Sequence, residues 1–217
     1  MFAPLSFAAG ALTWSAAEYC IHRFVGHGPR RKRPASLRAQ LTLEGLAGAF
    51  NEEHLAHHSD PQYFAPTSQK LLAATAAMTA ATLVASVLLG PRRGIAYGLG
   101  FGLAYGGYEV LHRRIHTHAP RNAYGRWMRR HHLYHHHKTP RANHGVTSPV
   151  WDRWIKTEEQ LGTQEPLRIP RKVAPPWMLD AQGEIAEQFA ADYVLVGSAA
   201  KSKPGAETPG SASPNSR

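Results

Sequence analysis

Three apolar runs punctuate the chain, at residues 2–21, 71–89 and 94–111, and polar sequence fills the spaces between them. The first carries one charge, Glu18, near its end; the second carries none; the third carries only Glu109, again near its end. A helix needs about 20 consecutive apolar residues to cross the hydrocarbon layer. Each run therefore predicts a transmembrane or deeply embedded helix, with three buried core helices as the alternative. The first run lacks the basic n-region and small-residue cleavage site of a signal peptide. Gly90-Pro91-Arg92-Arg93 joins the second and third runs closely enough to predict a helical hairpin. Within the third run, glycines 98, 100 and 102 suit close helix packing better than phosphate binding.

After residue 154 the pattern changes. Prolines 166, 170, 175 and 176 predict extended or loop structure, although 180–196 has helical spacing suited to a short surface helix. Residues 197–217 are mostly Ser, Pro, Gly, Ala and Lys, the composition of a disordered tail. The expected organisation is a membrane domain at 1–156, a cytosolic C-terminal extension at 157–196, and that tail. The expected fold is all-α, with integral membrane helices bearing a cytosolic, histidine-rich helical cap that holds a dimetal site.

Charge changes this picture little. Lys and Arg exceed Asp and Glu by 25 to 15, for a net +10. The basic residues cluster at 30–33, 113–114, 121–130 and 168–172, near apolar segments or histidines, which suits a membrane surface better than a nucleic-acid groove. No nucleic-acid partner is expected. The single cysteine, Cys20, excludes an intrachain disulfide and a thiolate metal site.

The chemistry lies in 14 histidines, all between His22 and His144. Ten form four packets: His22/His27, His54/His57/His58, His112/His116 and His132/His135/His136. Neutral imidazole is the commonest protein ligand for iron, zinc and copper. On a helix, i, i+3 and i+4 share a face, so each triplet is read as presenting three rings to one point. His22 and His27, at i and i+5, splay on an ideal helix unless Gly26 bends it. Ten ligands exceed one mononuclear centre and suffice for two metal ions. His118, His131, His137 and His144 receive no assigned role. Crossing the membrane once, then out and back, leaves all four packets on one face. The positive-inside rule makes that face cytoplasmic, against the local sign of Arg92-Arg93 at the far turn. A hairpin dipping into one leaflet leaves them on the same side.

Only one Glu-x-x-His match exists, Glu109 to His112, so the carboxylate-rich pattern of soluble di-iron bundles does not apply. Glu18, Glu52, Glu53 and Glu109 are candidates to orient imidazole N–H groups, or are solvated charges at helix ends. Trp127, Tyr134, Trp151 and Trp154 are candidates for a membrane-level wall, or for packing within the cap. No catalytic side chain beyond the metal ligands, and no organic cofactor, is expected.

The stretch from Glu18 through His22 to His27 resembles the first histidine box of the fatty acid hydroxylase / sterol desaturase superfamily. His132-Leu133-Tyr134-His135-His136-His137-Lys138, followed by Asn143-His144-Gly145-Val146-Thr147-Ser148-Pro149-Val150-Trp151-Asp152, resembles its last box and the segment behind it. His54/His57/His58 and His112/His116 match the boxes between, and the resemblance runs from about residue 18 to 156. It implies an integral membrane, non-haem dimetal oxygenase that uses dioxygen and two electrons to hydroxylate or desaturate a lipid. It also implies metal-binding roles for His22, His27, His54, His57, His58, His112, His116, His132, His135 and His136. Iron is the expected working metal, with zinc a possible occupant of preparations. A fatty acyl chain is the expected substrate, and a separate protein the expected electron donor. A carotenoid hydroxylase is the first alternative. A zinc-dependent membrane hydrolase with Glu52 or Glu53 as base is the second, and a non-enzymatic metal-storage or nucleic-acid-binding protein the third.

Overall fold

The computed structural model describes residues 3–160 and 165–197. The apolar runs form helices α1 (Ala3–Cys20), α4 (Thr67–Leu89) and α5 (Pro91–Thr117). Among the described residues, one helix, α4, is long and apolar enough to cross a membrane; its apolar window is 6% buried. Leu72, Val84, Val87 and Leu88 are 74%, 60%, 85% and 74% exposed. Helices α1 and α5 fall short of that composition because Ser, Thr, Gly and Tyr interrupt their aliphatic residues.

Glycines bring these helices together. A Cβ at Gly10 would lie 2.0 Å from the Tyr97 carbonyl oxygen, and one at Gly100 would lie 2.0 Å from that of Phe7. On the other side of α5, Gly98 faces the Thr82 hydroxyl and Gly102 faces Met78 of α4. Helix α5 is thus the middle element of three. The hairpin to α4 turns at Gly90, whose φ of +86° favours glycine. Pro91 then opens α5, where its missing N–H costs nothing.

The remaining elements cap one end of this trio. Helix α1 runs directly into a π-helical turn, Ile21–Gly26. Short α2 (Leu37–Gln40) precedes α3 (Leu43–Ser59), whose N-terminus is capped by Thr42 accepting from Gly45 N at 3.1 Å. Helix α6 (Ala123–His137) is capped the same way by Asn122, and α7 spans Val150–Ile155.

The C-terminal region corrects the all-α expectation. Leu167–Pro170 (β1) and Tyr193–Val196 (β2) pair in parallel, and residues 180–196 form a turn, a short 3-10 segment and β2 instead of a surface helix. The pairing is non-local, so helical spacing inside 180–196 could not disclose it. Leu167, Ile169, Met178, Phe189 and Tyr193 pack with Ile115, Met128 and Leu133 to form the buried core beneath α6. Asp192 accepts from Arg126 at 3.1 Å and Arg130 at 2.9 Å, fastening this layer to α6. Of the proposed tail, residues 198–217 lie outside the described residues.

Candidate metal centre

The structure gathers the ten packet histidines into two groups. His22, His27, His54, His58 and His135 form the first; His57, His112, His116, His132 and His136 form the second. Within each, one ring nitrogen per residue lies within 4.8 Å of all the others. The groups adjoin, with the His58 and His136 rings stacked at 4.0 Å.

The triplets do not converge on single points. His54 and His58 join the first group while His57 joins the second; His132 and His136 join the second while His135 joins the first. Helical geometry explains the correction. Residues i and i+4 lie about 40° apart, but i+3 and i+4 lie about 100° apart and diverge. Helices α3 and α6 therefore straddle both groups. The π-turn supplies the remaining pair of the first group, and α5 supplies that of the second.

That π-turn resolves the i, i+5 spacing. The His27 amide bonds to the His22 carbonyl at 3.0 Å, a five-residue hydrogen bond that widens the helix and turns both rings to one side. Asn51 on α3, fully buried, clamps the turn. Its amide donates to Val25 O at 2.8 Å and Gly26 O at 2.9 Å, and its oxygen accepts from Arg31 N at 2.8 Å. Helix α5 is fixed to α6 by buried Arg129, which donates to His118 O and Arg114 O, each at 2.8 Å. These are carbonyls at the α5 C-terminus, where a cation is favourable.

The donor set fits metal ions. His22, His135 and His57 each direct Nδ1 at a backbone carbonyl, of His144 (2.5 Å), Ala142 (2.7 Å) and Tyr63 (2.8 Å) respectively. A carbonyl only accepts, so the proton sits on Nδ1 and Nε2 carries a free lone pair. In the first group His27 Nε2 lies 2.8 Å from both His54 Nε2 and His135 Nε2, and His135 Nε2 lies 3.2 Å from His58 Nε2. In the second, His57–His112 and His132–His116 Nε2 pairs lie at 3.1 Å. Ligands about 2.0–2.1 Å from one ion, at about 90° to 109° to each other, lie about 2.8–3.4 Å apart. His22 Nε2 is buried without a hydrogen-bond partner among the described residues.

Burial keeps these rings neutral, the form that binds metal. It lowers His27 and His57 to about 4 and holds His54, His58, His132, His135 and His136 below the ordinary imidazole range. Neighbouring imidazoles add to the effect for His54, His58, His132, His135 and His136.

None of the four glutamates named as orienting groups bonds to an imidazole among the described residues. Glu18 accepts from Val146 N and the Thr147 hydroxyl, Glu52 from Arg33 N, Glu53 from Arg33 and Tyr63, and Glu109 from Lys70 and Tyr105. Backbone carbonyls of His144, Ala142 and Tyr63 do the orienting instead. The carboxylate that does approach histidines is Asp152, fully buried, 3.6 Å from His131 Nε2 and 3.7 Å from His144 Nδ1. Burial alone would raise its pKa. The two imidazoles, Gly145 N–H and the Thr157 hydroxyl outweigh that and hold it below the usual carboxylate range. Of the aromatic wall, Trp127 packs on His131, and Tyr134 is buried with its hydroxyl on Glu159. Trp151 donates to Ser15 of α1 at 3.0 Å, and Trp154 is exposed. His118 lies outside both groups, its Nδ1 2.7 Å from the Thr117 hydroxyl.

A sequence model described as fatty acid hydroxylase matches residues 7–157, which contain every histidine of both groups. The chain belongs to the fatty acid hydroxylase family. One relative, the dihydroceramide fatty acyl 2-hydroxylase FAH2 of Arabidopsis thaliana, is 28% identical over 155 residues, covering 69% of this chain and 59% of that protein. A solved structure titled full length scs7p, with only its hydroxylase domain visible, is similar with a TM-score of 0.54 and 28% identity. That match covers 76% of this chain and 59% of the other. The chain thus spans less than two thirds of each relative's length. In this fatty acid hydroxylase family member, β1, β2 and the layer they anchor lie beyond the matched residues.

Proposed function

We propose that the chain is a multi-pass membrane enzyme that hydroxylates the acyl chain of a lipid, using dioxygen and two electrons from a separate donor protein. The ten grouped histidines are its metal ligands, five to an ion, and the centre faces the cytoplasm. Residues 1–156 form the membrane hydroxylase domain and 157–196 a cytosolic extension seated on α6. The observation carrying this reading is the pair of adjoining, buried or partly buried, all-nitrogen groups at the ends of apolar helices. The printed activity of the Arabidopsis relative supports hydroxylation of a fatty acyl group.

Five nitrogens per group favour iron over zinc, whose catalytic sites use three protein ligands and structural sites four. Bound iron would supply dioxygen activation for attack on an unactivated C–H bond. The chain does the rest. Carbonyls of His144, Ala142 and Tyr63 fix three ring tautomers, and burial withholds protons and bulk water from the nitrogens. Helices α1 and α5 deliver the centre within a residue or two of their apolar stretches, so an acyl chain can approach sideways from the bilayer.

The test is lipid mass spectrometry of cells with and without the chain. A lipid gaining one oxygen, dependent on dioxygen and a reductant, is expected. A lipid losing two hydrogens would reassign the reaction to desaturation. Turnover that persists without dioxygen would overturn the oxygenase reading in favour of a hydrolase.

A further inference from the structure

A single peptide unit lies between a buried carboxylate and a histidine of the first group. The Gly145 amide donates to Asp152 Oδ2 at 2.7 Å. The carbonyl of that same peptide, His144 O, accepts from His22 Nδ1 at 2.5 Å. Asp152 is itself held: Oδ1 accepts from His144 N at 2.9 Å and the Thr157 hydroxyl at 2.8 Å. The turn is tight. A Cβ at Gly145 would lie 2.2 Å from the Ser148 carbonyl oxygen, so a side chain there would force the peptide out of line.

We propose that Asp152 is a positioning residue for His22, acting through the 144–145 peptide; this rests on the reading of His22 as a metal ligand. Carboxylates that orient ligating histidines commonly bond the ring directly. Here the peptide is interposed. An anionic acceptor on the N–H polarises the amide, and chained hydrogen bonds strengthen one another by about 10–30% each. The His144 carbonyl becomes a stronger acceptor, holds the His22 Nδ1 proton and keeps the Nε2 lone pair aimed into the first group. His131 and His144 flank the carboxylate on its remaining sides at 3.6 and 3.7 Å, and neither enters either group. The same loop presents Ala142 O to His135, so a shift of the 142–145 backbone would disturb two rings of the first group and none of the second.

The test measures zinc binding to the full chain in detergent, by chelator competition and metal counting. Wild type is expected to bind two ions, and His22→Ala to weaken one of them. Asp152→Asn is expected to weaken that same ion by about 10–100-fold, the usual worth of a ring-orienting partner, and to leave the other unchanged. The double variant should be no weaker than His22→Ala alone, because both changes cut one chain. A merely structural role for Asp152 would weaken both ions or add to the His22→Ala loss, and either result overturns the proposal. If Asp152→Asn does not fold, Thr157→Val decides: selective weakening of the same ion supports the relay, and wild-type affinity at both overturns it. If His22→Ala leaves both ions unaffected, the ligand reading falls and the relay with it. If His22→Ala loses an ion that Asp152→Asn retains, only the relay falls.

Discussion

The two histidine groups are built to the same plan and held by different means. Each takes two rings from one element of its own, two from one shared helix and one from the other. The first group depends on irregular structure: a π-turn clamped by Asn51, and the 142–149 loop that presents two carbonyls. The second depends on regular helices, with α5 and α6 locked by Arg129 and backed by the C-terminal layer. Burial follows the same division. Three rings of the first group are only partly buried, against one of the second. Two equivalent donor sets therefore stand on unequal frames, and the first should yield to perturbation before the second.

The largest effects test whether the groups are independent. His135→Ala removes a ring from the first group and His57→Ala one from the second. Each is expected to abolish lipid hydroxylation while leaving membrane insertion intact, and each should cost one ion, a different one. Metal counting and product analysis check this. Normal turnover in either variant would sink the ligand assignment for that ring.

Much of this centre was legible in the sequence, and its failures have physical causes. The packets named the ten rings that the fold gathers, and a shared helical face accounts for the i, i+4 pairs His54/His58, His112/His116 and His132/His136. The exchange of His57 and His135 between groups was not legible. Spacing gives angles around one helix but not which neighbour each ring will meet. Asp152 stood in the segment after the last box without a role, because its link to His22 runs through backbone amides, which have no sequence signature. Asn51 was invisible for the same reason, since among the described residues it bonds to main chain. The fold shows the same boundary. Continuous apolar runs marked α1, α4 and α5, but the β1–β2 pairing joins residues far apart and left no such local mark.

A middle-sized effect separates the two frames. Asn51→Ala unclamps the π-turn, and the first ion is expected to weaken by about 10–100-fold, as for loss of a ring-orienting partner, with little change at the second. Arg129→Ala removes charge-assisted bonds from the α5 C-terminus. It is expected to cost about 1.5–3 kcal/mol per bond at most and to lower the melting temperature. Its effect on metal should fall on the second ion. Titration of both variants with a chelator checks the pattern. Equal weakening of both ions by Asn51→Ala would mean that the groups share one frame.

The smallest effect comes from mild acid, and its sign follows from the imidazoles. In the unfolded chain a histidine takes up a proton as pH falls through about 6.5. In the folded, metal-free chain burial delays that step, to about 4 for His27 and His57. Between these values the unfolded state binds more protons, so folding stability drops as pH drops, and above pH 7 the contribution vanishes. Metal opposes the loss, because bound nitrogens cannot take protons. His27 of the first group is only partly buried, whereas His57, His112, His116 and His132 of the second are buried. His27 and His57 nevertheless take up a proton near the same pH, so acid is expected to reach the two groups together in the wild type. Protons compete with metal only below about pH 4, where His27 and His57 take them up, so lowering pH from 7 to 6 is expected to change either affinity by less than about twofold. Following zinc release against pH in wild type and in Asn51→Ala checks this. The two ions should leave together in the wild type and the first at higher pH in the variant, since a loosened π-turn exposes His27 and lifts its proton uptake toward about 6.5; release together in the variant would mean that burial of that ring does not set the order.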